Sequence, residues 1–208
     1  EDYIGANLAN YIEYARRFSW ADARTLQDGL PGGGLNIAHE AIDRHVKAGR
    51  GNKLALRWIA RDESLRDFSY AALAAQVNRF ANTLVQHGAR KGDRVFSLLG
   101  RVPELYIAAL GTLKNGSVFS PLFSAFGPEP IKARMTIGEA KVLITTEAFY
   151  RRKIEPWRKE LANLETVFLT ECSANLPPGT IDLGVALAQA SEAFETVPTL
   201  PEDMALLH

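Results

Sequence analysis

The 208-residue sequence contains one cysteine, two methionines and four histidines, and its charges cancel, with 24 Lys plus Arg against 24 Asp plus Glu. Each shortage removes a class of function. The lone Cys172 can form neither an internal disulfide nor a thiolate metal cluster, which suits a reducing cytoplasm. Zero net charge gives no overall field toward nucleic acid or anionic lipid, so neither a nucleic-acid partner nor a membrane is expected. Long apolar runs are also missing: the best, residues 106–113, covers eight residues where a bilayer requires about 20. The amino end, Glu1-Asp2-Tyr3, lacks both a basic lead and an apolar stretch, so it reads as neither a signal peptide nor a translation start. What is present is 47% hydrophobic and 23% charged, the profile of an ordinary globular protein of one large or two small domains.

Periodicity then divides the chain. Tyr3, Ile4, Leu8, Tyr11, Ile12 and Tyr14 predict a short amphipathic helix in an amino-terminal arm, residues 1–35, which breaks at Gly29-Leu-Pro-Gly-Gly-Gly34. Asn36 caps a helix over residues 37–47 that Gly49 ends. Short strands follow at 54–59 and 66–68, and the clearest helix spans 69–87, with Leu73, Val77, Phe80, Ala81 and Leu84 on one face. The run at 95–99 is nearly continuously apolar, as in a strand covered on both sides. Pro103 opens the next helix, and strands at 118–122, 142–145 and 167–169 alternate with a helix at 128–137 and a further basic helix. This alternation predicts an α/β fold over residues 36–170: a doubly wound, mostly parallel sheet with flanking helices and right-handed crossovers. Residues 171–208 carry Pro177, Pro178, Pro198 and Pro201 around one helical piece at 183–190. They read as a connection into a strand at 204–207.

Several residues invite chemistry. Gly32-Gly-Gly34 offers two glycines of a dinucleotide fingerprint, but Ile37 holds the third place and no strand precedes it, so a hinge is the simpler reading. His39-Glu40 begins like a zinc-protease helix, yet Asp43 stands where the second ligand belongs. His39, His45, His87 and His208 are scattered, and Cys172 has no neighbouring histidine, so these read as structural side chains. No catalytic residue and no metal ligand is assigned. The one concentration of charge is Tyr150-Arg151-Arg152-Lys153 with Arg158 and Lys159, just past a strand's carboxyl end. Both a phosphate-holding cluster and a solvated basic face fit it.

Ordered strings reach further than periodicity. Phe68-Ser-Tyr70-Ala-Ala-Leu73, Asn78-Arg-Phe-Ala-Asn82, Gly88-Ala-Arg-Lys-Gly-Asp-Arg-Val95 and Pro103-Glu104, in this spacing, resemble the amino-terminal region of the adenylate-forming enzymes: acyl-CoA synthetases, adenylation domains and luciferases. Asn36-Ile-Ala-His-Glu-Ala-Ile-Asp-Arg-His45, the segment from Gly116 to Phe126 and Glu139-Ala-Lys-Val-Leu-Ile-Thr-Thr146 are similar to the acetyl-CoA synthetase branch. The resemblance covers residues 36–170 well and 1–35 loosely.

It implies a parent ligase that uses ATP, magnesium (Mg2+) and coenzyme A. A carboxylate such as acetate attacks the α-phosphorus of ATP, giving an acyl-adenylate and pyrophosphate, and the thiol of coenzyme A then displaces AMP. The family's phosphate loop is expected just past His208, so the 208-residue chain is expected to be inactive alone. By resemblance, Arg151 and Arg152 stand nearest the arginines that contact the nucleotide end of coenzyme A. Ser124-Ala125 occupies the place of a Gly-Gly pair bordering the thiol tunnel. Self-association through an exposed apolar patch is a further expectation. The alternatives are a non-catalytic binding module of the same fold, and a ligase for a different acid.

Overall fold

The two helices of the amino-terminal arm, α1 (Tyr11–Arg17) and α2 (Trp20–Thr25), bury no residue. Residues 10–208 are described by the computed structural model, so Tyr3, Ile4 and Leu8 of the expected amphipathic helix lie outside the described residues. Burial begins at Asn36. Its Oδ1 accepts the amides of Ala38 and His39, and its Nδ2 donates to the carbonyls of Leu113 and Val197 at 2.8 and 3.0 Å. One asparagine thus caps a helix and ties together segments distant in sequence. The helix it opens is wound partly in π-type turns, His39–Asp43 and Val46–Arg50, where regular α-turns were expected, and it breaks at Gly49 with φ +75°. Beyond it, β1 (Leu54–Ile59) and β2 (Leu65–Ser69) form a separate antiparallel hairpin. Trp58 Nε1 pins this hairpin to the main body by donating to the carbonyl of Arg101 at 2.7 Å.

Ser69 Oγ then accepts the Ala72 amide and starts α3 (Tyr70–Gln86). The remaining elements are β3 (Arg94–Leu98), α4 (Pro103–Lys114), β4 (Val118–Pro121), α5 (Pro128–Ile137), β5 (Val142–Thr146), α6 (Glu147–Lys153), β6 (Thr166–Thr170), β7 (Ile181–Asp182) and α7 (Leu183–Gln189). Five strands pair in the order β4-β3-β5-β6-β7, all parallel.

Strand alternation sorts the core into two layers. Val95, Leu99, Val142, Ile144 and Phe168 point to one face, against Phe80 and Leu84 of α3, Ile107 and Ala108 of α4, and Leu183 of α7. Phe96, Leu98, Leu143, Val167 and Leu169 point to the other, against Ile131 and Met135 of α5 and Tyr150 of α6. The sheet is therefore doubly wound, with α4 on one face and α5 and α6 on the other. Gly111 lets α4 settle on α3, since a Cβ there would lie 2.7 Å from Phe80 Cδ1.

Residues 171–208 return across the molecule. Leu35 and Thr199 exchange backbone hydrogen bonds at 2.8 Å in an antiparallel bridge. The strand expected at 204–207 is reduced to a single parallel bridge, Phe119 to Leu206, on the outer edge of β4.

Candidate ligand-binding site

The chain passes from β3 to its neighbour β4 and then crosses back to β5 on the other side of β3. The reversal puts the topological switch point at the carboxyl ends of β3 and β5, the place where open α/β sheets take ligands. There Thr145 Oγ1 ties the two strand ends together by donating to the carbonyl of Leu98 at 2.9 Å. Thr146 Oγ1 accepts the amide of Phe149 and caps α6, so the basic run leaves this end of the sheet at a defined angle.

The cations of that run do not form one cluster. Arg151 Nε donates to Glu147 at 2.7 Å, and its Nη2 donates to the carbonyl of Asn175 at 2.9 Å. Glu147 is buried, and it also accepts the Ser173 amide at 2.6 Å and the Ser173 hydroxyl at 2.9 Å. The Ser173 backbone N–H, then the Arg151 guanidinium, holds its carboxyl below the usual range. Arg151 and Glu147 therefore clamp the start of α6 to the loop after β6. Arg152 is exposed, with its guanidinium 5.6 Å from the centre of the Phe149 ring. Lys153 turns inward, and its Nζ donates to the carbonyls of Ser124 and Phe126, each at 2.7 Å. Burial, then the neighbouring Arg152 charge, lowers the pKa of that ammonium. Arg158 donates to the carbonyl of Leu164 at 2.6 Å, and Lys159 is exposed. The five cations thus resolve into two structural clamps, a loop tie and exposed Arg152 and Lys159.

Ser124-Ala125 forms the turn between β4 and α5. Phe123 and Phe126 flank it edge to face at 5.5 Å, and the Arg134 guanidinium lies 4.5 Å over the Phe126 ring. These side chains, with Phe96, Ser120 and Leu207, wall a cavity of about 600 Å³ that His208 also lines.

The other residues raised by the sequence take structural roles. Gly32 and Gly33 adopt φ +78° and +82° in a turn closed by the Leu30 amide on the Gly34 carbonyl. Buried His39 bonds Asp28 at 2.7 Å, and Asp43 lies 3.8 Å from its other ring nitrogen. His45 stacks on Tyr70 and accepts from Arg50, and burial, then the Arg50 charge, lowers its pKa. His87 packs edge-on against Phe168. The Cys172 thiol donates to the carbonyl of Leu169 at 3.3 Å, and burial pushes its pKa up to about 11, away from nucleophilic use. Among the described residues no group of three or more His, Cys, Asp and Glu side chains could hold a metal, and no helix is long and apolar enough to cross a membrane. Sequence reasoning missed the Glu147 clamp, although the Glu147-to-Arg151 spacing of one helical turn was available as a signal.

A family model described as "AMP-binding enzyme" matches residues 42–208. The chain belongs to the AMP-binding enzyme family. Among the AMP-binding enzymes it resembles, the acetyl-coenzyme A synthetase of Bacillus subtilis is 37% identical over 206 residues, spanning 97% of this chain and 35% of that protein. The acetyl-coenzyme A synthetase of Methanothrix thermoacetophila is 41% identical over 122 residues, 58% of this chain and 18% of that one. The crystal structure of Brucella canis acyl-CoA synthetase superposes with a TM-score of 0.83 at 32% identity, covering 94% of this chain and 35% of that one. An anthranilate CoA ligase in complex with anthranoyl-AMP shares the fold at a TM-score of 0.72 and 22% identity. The match falls on the amino-terminal portion of these AMP-binding enzymes, and the chain spans about a third of the length of the curated relative it matches over 97% of its own residues.

Proposed function

We propose that this chain is the amino-terminal α/β portion of an AMP-forming ligase that joins acetate, or a similarly short carboxylate, to coenzyme A. The observation that carries the reading is the alignment with an acetyl-coenzyme A synthetase over 97% of the chain, supported by the fold shared with an acyl-CoA synthetase. Residues 1–35 serve as an arm, 36–170 as the α/β subdomain and 171–208 as the connection into the next strand. The complete ligase works in the cytoplasm on ATP, Mg2+, acetate and coenzyme A.

The groups differ in how they fit the described residues. No magnesium site and no cradle for the ATP phosphates is assigned among them, so no step of adenylate formation is attributed to these side chains. Coenzyme A is the group these residues suit. Arg152, an exposed cation in the last turn of α6, would pair with a phosphate of its nucleotide end. Arg151, with its guanidinium engaged by Glu147 and Asn175, would serve the site by fixing the helix that carries Arg152 and not by contacting coenzyme A itself. The Ser124-Ala125 turn would border the path of the thiol. A 3-hydroxypropionyl-coenzyme A synthetase of Sulfurisphaera tokodaii, 36% identical over 138 residues, favours a second short acid as the alternative.

Acetate-dependent exchange of pyrophosphate into ATP tests the reading. The 208-residue chain alone gives none, while the product of the complete reading frame containing it exchanges with acetate and releases AMP on adding coenzyme A. Exchange by the chain alone overturns the inactive-portion reading. No exchange by the complete product with acetate, propionate or 3-hydroxypropionate overturns the ligase reading.

A further inference from the structure

The side chain that the proposed chemistry leaves unused is Lys153. Lysine is almost never fully buried unless paired, yet this one is 7% exposed, and among the described residues no carboxylate lies within 4.0 Å of its Nζ. Among the described residues its ammonium meets two carbonyls at 2.7 Å and the face of Phe149, 4.8 Å away. Both carbonyls belong to the β4–α5 turn. Four residues beyond Ser124 and Phe126 stand Pro128 and Pro130, which carry no N–H to offer them. The lysine from α6 supplies the donors that this stretch of chain lacks. A buried ammonium without a counter-ion is a poor way to gain stability, because an apolar side chain of similar length fills the same space without the desolvation cost. What the ammonium provides, and a methionine would not, is a fixed position for two carbonyls.

We infer that Lys153 is a positioning residue for the candidate site. Its ammonium sets the 123–126 turn by holding the Ser124 and Phe126 carbonyls. The Phe123 and Phe126 walls of the 600 Å³ cavity, and the path of the coenzyme A thiol past Ser124-Ala125, follow from that setting. The part concerning the thiol rests on the ligase reading above. The part concerning the turn does not.

Amide hydrogen exchange on the 208-residue chain separates the two. The Phe126 amide donates to Phe123 within the turn at 3.0 Å, and the Leu122 amide donates to Ser97 in β3 at 2.7 Å and serves as the internal reference. In Lys153→Met, loss of two hydrogen bonds from a charged donor raises exchange at Phe126 by about tenfold or more, leaves Leu122 unaltered and does not lower the thermal midpoint. Lys153→Gln, which retains a donor for one carbonyl, gives an intermediate rate at Phe126. Unaltered exchange at Phe126 in a folded variant overturns the inference. So does a general rise at both amides with a lowered midpoint, or failure of both variants to fold, since these mark a lysine that merely stabilises. In the complete ligase, Lys153→Met raises KM for coenzyme A by about tenfold, more than it lowers kcat, and a fall confined to kcat contradicts the role at the thiol path. A complete ligase without any coenzyme A-dependent activity sinks the reading of function and leaves the exchange result to decide Lys153.

Discussion

Lys114 Nζ donates to Asp43 Oδ1 at 2.7 Å with the lysine side chain only 2% exposed, joining the end of α4 to the π-turned helix that follows Asn36. Asp43 also accepts from Thr196 at 3.2 Å and lies 3.8 Å from His39, so one carboxylate gathers three segments of the chain. Breaking such a pair on the acidic side leaves a buried ammonium uncompensated. Asp43→Asn is expected to destabilise the fold by about 3–5 kcal/mol in urea unfolding, and a paired Asp43→Leu, Lys114→Met replacement should recover most of that loss. Equal losses for the single and the paired change would contradict this account.

Acid titrates the Glu147 clamp. Its carboxyl is held low in the folded state by the Ser173 backbone N–H and then by Arg151. A depressed folded pKa contributes stability that is complete above the unfolded value of about 4.3 and is lost as the pH falls through the lower folded value. Glu147→Gln is therefore expected to flatten the fall of the urea midpoint between about pH 5 and pH 3. An identical acid profile for wild type and variant would refute the clamp.

Gly111 measures how closely α3 and α4 approach. Gly111→Ala sets a methyl 2.7 Å from Phe80 Cδ1 and 3.0 Å from the Val77 carbonyl and is expected to cost about 1–3 kcal/mol in thermal or urea unfolding. Gly100→Ala, with nothing within 4 Å of its Cβ, should leave stability nearly unaltered and serves as the control.

Arg151 and Arg152, adjacent in sequence, should part company in kinetics. In the complete ligase, Arg152→Gln is expected to raise KM for coenzyme A by about tenfold through loss of a charge-assisted phosphate contact. Arg151→Gln should instead increase proteolysis or amide exchange around residues 173–175, the loop it holds. Equal KM effects without a change in that loop would reverse the assignment.

How much of this was legible depends on whether the signal was local. Helix α3 announced itself through its apolar face and the Ser69 cap, and β3 through a nearly continuous apolar run, because each is specified by neighbouring residues. The strand β7 is two residues long and exists only by pairing with β6, and no local pattern encodes that partner. The antiparallel hairpin left no sign that it would stand apart from the parallel sheet, since its anchor is a bond from Trp58 to Arg101, 43 residues away. Charge was the least informative signal. Arg151, Arg152 and Lys153 read alike as a basic face, yet one is clamped, one is exposed and one is buried, because helical rotation, Glu147 one turn back and the distant Asn175, Ser124 and Phe126 decide their roles.

The middle position of β3 imposes an order on biosynthesis. It is the first of the five parallel strands to leave the ribosome, and it waits about two dozen residues for β4 on one flank and about twice that for β5 on the other. Throughout that interval the nascent Val95–Leu98 segment presents sticky, unmated edges on both sides. A chaperone that shelters short apolar stretches during translation should therefore set the yield of this protein more than its final stability does.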